Sequence, residues 1–152
     1  MSITQKIILT TCFVSILLYS SCEQVSTDPV LPLTPAIKLL EVSHEELKAF
    51  DDLLSIRIEY EDGDGDLGNS DNDINSLFIR DSRLNETDGY FVGPLAPEDA
   101  TISIRGTLNI EVGSFFLLGN GSQEKTTLTI YMVDRAGNRS NELETEPITI
   151  YR

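Results

Sequence analysis

From Ile37 to the end of the chain, apolar and polar residues alternate in short runs, the period of half-buried strands. The clearest run sets Leu54, Ile56, Ile58 and Tyr60 on one face and Ser55, Arg57 and Glu59 on the other. From Thr101 to Val112 the alternation returns, with Ile102, Ile104, Leu108, Ile110 and Val112 sharing a face. Gly106 takes the missing inward place, where a glycine predicts a bend or bulge. Leu128, Ile130 and Met132 repeat the pattern, and Ile148 and Ile150 close it. Shorter strands are predicted at Ile37–Val42, Leu77–Asp81 and Tyr90–Val92. Ser43 and Glu46 have the spacing of a capping box, which predicts a short helical turn over His44–Phe50. Phe115–Leu118, between Gly113 and Gly119, reads as a further buried strand or, alternatively, as a patch for a partner protein or lipid. About seven short strands with turn signals between them, and no long amphipathic helix, predict an all-β antiparallel β-sandwich over residues 37–152.

The N-terminal segment follows another rule. Lys6 supplies a positive start and Ile7–Leu18 an apolar core, too short and too interrupted by Thr10, Thr11 and Ser15 for a membrane span. Residues 1–21 therefore read as a secretory signal. The sequence Tyr19-Ser20-Ser21-Cys22 resembles the lipobox of bacterial lipoproteins. That resemblance implies cleavage before Cys22, acylation of its thiol, and a cell-envelope location, on the outer membrane, at its periplasmic or surface face. Glu23 after the cysteine is similar to surface-export signals of some diderm bacteria. Residues 22–36 carry the acceptor cysteine and a tether punctuated by Pro29, Pro32 and Pro35. At about 3.1 Å per residue the extended tether holds the domain roughly 40 Å from the bilayer. Alternatively, Val30, Leu31 and Leu33 dock on the domain as an edge segment.

The densest chemistry lies just after the Leu54–Tyr60 run. Asp62, Asp64 and Asp66 alternate with Gly63 and Gly65, and Asp71 and Asp73 follow. Glycines let the backbone fold tightly enough for neighbouring carboxylates to converge. Bare carboxylates that close repel one another unless a cation neutralises them. The stretch from Asp62 to Asp73 resembles the calcium loop of EF-hand proteins. In that resemblance Asp62, Asp64 and Asp66 stand at loop positions one, three and five. The Gly68 carbonyl falls at seven, Ser70 at nine and Asp73 at twelve. Leu67 replaces the family's sharp-turn glycine and Asp73 its bidentate glutamate, and no helical pattern precedes the loop. The resemblance thus implies a Ca²⁺ loop outside an EF-hand fold. Gly63, Gly65 and Gly68 also spell the dinucleotide fingerprint G-x-G-x-x-G. That motif requires a helix N-terminus to hold pyrophosphate, whereas here more aspartates follow, so no nucleotide is expected.

A second motif, Asp134-Arg135-Ala136-Gly137-Asn138-Arg139-Ser140-Asn141, resembles the D-x-A-G-N-x-S turn near the end of bacterial immunoglobulin-like and fibronectin-III-like domains. Gly137 and Asn138 suit the positive φ that such a turn uses. The chain has no Trp and no cysteine pair within the domain, so the antibody pattern itself is excluded. In such a sandwich this turn and the aspartate loop emerge at the same end, which makes Asp134 a candidate late ligand to the same ion. Alternatively, Asp134 caps its own turn.

Charge narrows the partners. Lys6 is one of 11 basic residues, so a chain starting at Cys22 keeps 10 against 25 acidic residues, a net charge of −15. Such a surface repels nucleic-acid backbones and suits cations and basic partners. His44 is the sole histidine and Cys12 and Cys22 the sole cysteines, which excludes His-rich and CxxC metal sites. No G-x-S-x-G element accompanies His44, and a domain this small offers little room for a substrate cleft, so no catalytic residue is assigned. The expectation is a non-enzymatic, calcium-stabilised envelope lipoprotein acting as a binding, adhesion or accessory module. The alternative is a glycan-binding module in which Tyr90 and Phe91 stack on sugar, and a small hydrolase ranks below both.

Overall fold

The structure, a computed structural model, describes residues 31–113 and 115–152. The predicted signal segment, Cys22 and the tether up to residue 30 lie outside them. Ten strands are described: β1 (Ala36–Val42), β2 (Glu46–Lys48), β3 (Leu54–Asp62), β4 (Leu77–Asp81), β5 (Asp88–Tyr90), β6 (Ile104–Val112), β7 (Gln123–Thr126), β8 (Leu128–Met132), β9 (Leu143–Glu144) and β10 (Ile148–Tyr151). They form three sheets, ordered β1-β3-β6, β5-β4-β8-β9 and β2-β10-β7. The fold is all-β, and no helix occurs among the described residues.

The period-two runs explain the core. In β3, Leu54, Ile56 and Ile58 are fully buried while Ser55 and Arg57 are exposed. Leu128, Ile130 and Met132 of β8 meet them, and Leu47 of β2 with Ile148 and Ile150 of β10 complete one cluster. Each such side chain contributes about 1.5–3 kcal/mol relative to exposure. More strand segments appear than the roughly seven expected because β2 adds one and two lines of chain are interrupted. Thr127 alone separates β7 from β8, and residues 145–147 separate β9 from β10. At these breaks the chain passes between sheets, held by Leu128 N–H donating to Thr145 Oγ1 and Thr145 N–H donating to the Leu128 carbonyl (both 3.0 Å).

Several expectations need correction. Glu46–Lys48 is a strand rather than a helical turn, pairing in parallel with β10, the one departure from antiparallel pairing among the described strands. Leu47 is the reason: it is fully buried between exposed Glu46 and Lys48, an alternation too short to register as a period. Gly106 marks no bulge, since β6 keeps an unbroken register with β3 from Ile104 to Val112. It lies opposite Tyr60, and a Cβ there would stand 2.6 Å from the tyrosine hydroxyl, so the bare backbone makes room for the ring. The bulge falls instead in β1, between Leu39 and Glu41. Phe115–Leu118 forms no strand: Phe115 is buried, while Phe116 and Leu118 are exposed and Phe116 stacks on Phe50. Ile102 precedes β6 and is exposed, and β5 ends at Tyr90.

β1 and β10 both run away from the end at which β3 finishes. There the Asn141 amide clips β1 to the last turn, accepting Ile37 N–H and donating to the Ile37 carbonyl (both 2.9 Å). Pro35 is buried just before β1, whereas Leu33 is exposed.

At the opposite end Arg83 joins three segments. Its guanidinium grips Asp81 (Nη2 to Oδ2, 2.7 Å), and Nη1 donates to Glu124 Oε2 and to the Phe116 carbonyl (both 2.9 Å). Burial works to raise the Asp81 carboxyl, but hydrogen bonds from Arg83 and Thr126 together outweigh it and hold the group below the ordinary carboxylate range. A folded value below the unfolded one, about 3.9, contributes stability above that pH and loses it as pH falls through the folded value. Arg83→Ala is expected to cost about 2 kcal/mol at neutral pH by urea denaturation, part of it from the Asp81 and Glu124 carboxylates losing their cationic partner while partly buried. The difference from wild type should narrow on acidification; a pH-independent difference would assign the loss to packing alone.

Candidate metal centre

The inward register of β3 continues past Tyr60 to Asp62, so the same alternation that buries isoleucines also buries a carboxylate, fully. Its Oδ2 accepts the Asp66 N–H at 2.9 Å, which turns the chain back on itself. Gly65 and Gly68 take φ values of 75° and 81°. The loop is tied down by Ile102 N–H to the Asp64 carbonyl (3.2 Å), Leu95 N–H to the Leu67 carbonyl (3.1 Å) and Asn69 N–H to the Val92 carbonyl (2.8 Å). Leu67, at the position of the EF-hand glycine, is fully buried and anchors the loop in the core. The chain before β1 crosses the same place, where a Cβ on Gly63 would stand 2.5 Å from the Leu31 and Pro32 carbonyl oxygens.

Asp134 arrives from the β8–β9 turn and is 6% exposed. It caps that turn, with Oδ1 accepting Asn138 N–H (2.7 Å) and Oδ2 accepting the Asn138 side-chain amide (2.9 Å). Gly137 has φ 88°, as the turn motif requires, whereas Asn138 needs no positive φ. Self-capping and convergence are both realised: one carboxylate oxygen each from Asp62, Asp66 and Asp134 lies within 4.8 Å of the others. The two loops are stitched together by Arg135 N–H to the Asp66 carbonyl (3.1 Å) and Ala136 N–H to Asp66 Oδ2 (3.0 Å).

Among the described residues, Asp62 Oδ1, Asp64 Oδ1 and Asp66 Oδ1 are buried without any hydrogen-bond donor. Such orphaned acceptors are rare in folded proteins and call for a partner. Burial, and then the charges of Asp64 and Asp66, raise the Asp62 carboxyl above its usual range, against the N–H groups of Asp66 and Leu67. Burial, and then Asp134, raise Asp66, with relief from the Ala136 N–H and the Arg135 charge. These carboxylates repel one another where they stand, and the group can hold a metal ion.

The remaining candidates are placed differently. The Gly68 carbonyl accepts Arg135 Nη1 at 3.0 Å, so its oxygen is already engaged. Ser70 and Asp73 are exposed, and Asp73 is not among the converging carboxylates. Asp64 supplies an orphaned oxygen next to the trio. Arg135 is the participant that the sequence did not announce, a cation lodged against the Gly65 and Gly68 carbonyls. His44 is exposed on the β1–β2 connection, bonded to Ser43 Oγ (2.8 Å). No family model, curated protein or solved structure matches the chain.

Proposed function

We propose that residues 37–152 form the Ca²⁺-clamped, immunoglobulin-like binding module of a bacterial envelope lipoprotein, held to the outer membrane through acyl chains on Cys22. The observation that carries the reading is the set of three orphaned aspartate oxygens beside buried Asp134. Hard carboxylate oxygens in a loop of irregular backbone suit Ca²⁺, which takes about six to eight oxygens in loose geometry; Mg²⁺ demands a tight octahedron and keeps its waters. Strand order supports the immunoglobulin-like part: β1-β3-β6 in one sheet and β5-β4-β8-β9 in another, with the edge strand β2 parallel to β10. The ion serves stability and shape, and binding falls to the surfaces held between the clamped loops.

Calcium titration of thermal unfolding tests the centre. The melting temperature should rise saturably, with a dissociation constant on the order of 10⁻⁴ to 10⁻³ M, as at other extracellular sites. At 100-fold excess over that constant the gain is about 2.7 kcal/mol. Mg²⁺ should produce a smaller rise. Melting that ignores Ca²⁺ throughout this range would remove the ion from the proposal. Cys22→Ser should release the protein from the membrane fraction, and retention there would remove the anchor.

A further inference from the structure

β6 is the outer strand of the β1-β3-β6 sheet, bonded to β3 on one side only. Natural edge strands are usually short, bulged or guarded by proline or lysine. β6 is nine residues long, unbroken in register, and contains neither proline nor lysine. Among the described residues, the chain between β5 and β6 makes no backbone hydrogen bond to this edge. That segment bonds instead to the aspartate loop, through the Val92 carbonyl and Leu95 N–H. What lies beside Leu108–Glu111 is an open groove of about 490 Å³, walled by Leu77, Tyr90, Val92 and Leu95.

The sequence of this edge is complementary to itself. If a second β6 runs antiparallel with Leu108 opposite Leu108, Arg105 faces Glu111 of the other copy, and Glu111 faces its Arg105. Ile104 then faces Val112. Both charged residues point to the outer face, and Leu108 and Ile110 to the inner one. Directly paired residues must share a face, so allowed registers differ by steps of two residues. A step either way places Arg105 opposite Asn109 or Glu111 opposite Thr107 and loses both charge pairs. Arg105 already meets Glu61 on β3 through Nε (2.8 Å) and is half exposed, with guanidinium donors still to offer. Among the described residues Glu111 has no ion-pair partner of its own.

We infer that β6 is a self-association edge: two copies of this chain join β6 to β6 about a two-fold axis through Leu108, fusing two three-stranded sheets into one of six. Closed symmetry of this kind uses the same patch twice and stops at a dimer. The inference is independent of the metal centre.

Sedimentation equilibrium of the lipid-free chain from residue 23 tests it; all core residues fall between Ile37 and Ile150. Wild type is expected to dimerise at concentrations up to about 100 µM, in keeping with a small interface. Arg105→Glu sets two acids face to face in a self-pair, and Glu111→Arg two bases. Each alone should weaken dimerisation at least about tenfold, while an equimolar mixture of the two restores both charge pairs and dimerises again. A monomeric wild type over that range overturns the proposal. So do single variants that dimerise as wild type does, or folded variants that fail to rescue each other. Should either variant melt non-cooperatively, hydrogen exchange of wild type decides: Ile104–Val112 amides gain protection with rising protein concentration, and their indifference to it overturns the inference.

Discussion

Asp62→Asn is expected to raise the melting temperature of the metal-free protein while abolishing its response to Ca²⁺. The asparagine oxygen can keep the bond from Asp66 N–H, and its amide nitrogen turns an orphaned acceptor into a donor among carboxylates. Because burial and neighbouring acids disfavour ionised Asp62, the wild type is destabilised at neutral pH when no cation is present. Removing that charge should add about 1–2 kcal/mol, roughly 3–8 °C in a domain of this size. Calcium should then do nothing, since a buried ligand oxygen has gone. The two readouts move in opposite directions, which separates a repelled ligand from a structural carboxylate. Lower metal-free stability would make Asp62 a net support of its loop, and a surviving Ca²⁺ response would put the ion elsewhere.

Gly68→Ala should cost about 2–5 kcal/mol, a loss of roughly 10 °C or more in melting temperature. Two penalties add. A φ of 81° crowds any Cβ against its own carbonyl, and a Cβ at this position would stand 2.1 Å from the Gly93 carbonyl oxygen. That oxygen cannot retreat, because Val92 and Leu95 on either side are bonded back to the aspartate loop. Gly93→Ala is the control, since nothing lies within 4 Å of its Cβ position; its melting temperature should hardly change. Equal effects from the two substitutions would mean that the β5–β6 connection yields more easily than its hydrogen bonds imply.

The strands that the sequence made legible are those long enough to show a period. Leu54 through Tyr60 and Leu128 through Met132 each offer three or four turns of alternation, and both lie buried as their pattern requires. β2 was hidden because a three-residue strand with one buried leucine has no period, and a nearby Ser–Glu spacing imitates a helix start. The run Phe115–Leu118 misled in the opposite sense, since hydrophobicity alone does not say that alternate residues will find a sheet. At the candidate metal centre, Asp62 was readable from both composition and register. Asp134 was reachable only through the idea that two distant turns share one end. The engagement of the Gly68 carbonyl by Arg135 depends on how an arginine folds back across 67 residues of sequence, which no local pattern encodes.

The course of β1 and β10 has a mechanical corollary. The chain enters beside Gly63, at the aspartate end, and β10 finishes at the other end, where Ala49 N–H meets the Tyr151 carbonyl. Traction between the anchor proposed on the N-terminal side and a load on the C-terminal side would run along the strands. Antiparallel ladder bonds lie perpendicular to that axis, so they would share the load in shear instead of opening one by one like a zip. The Asn141 clip on Ile37 sits at the first rung to be loaded.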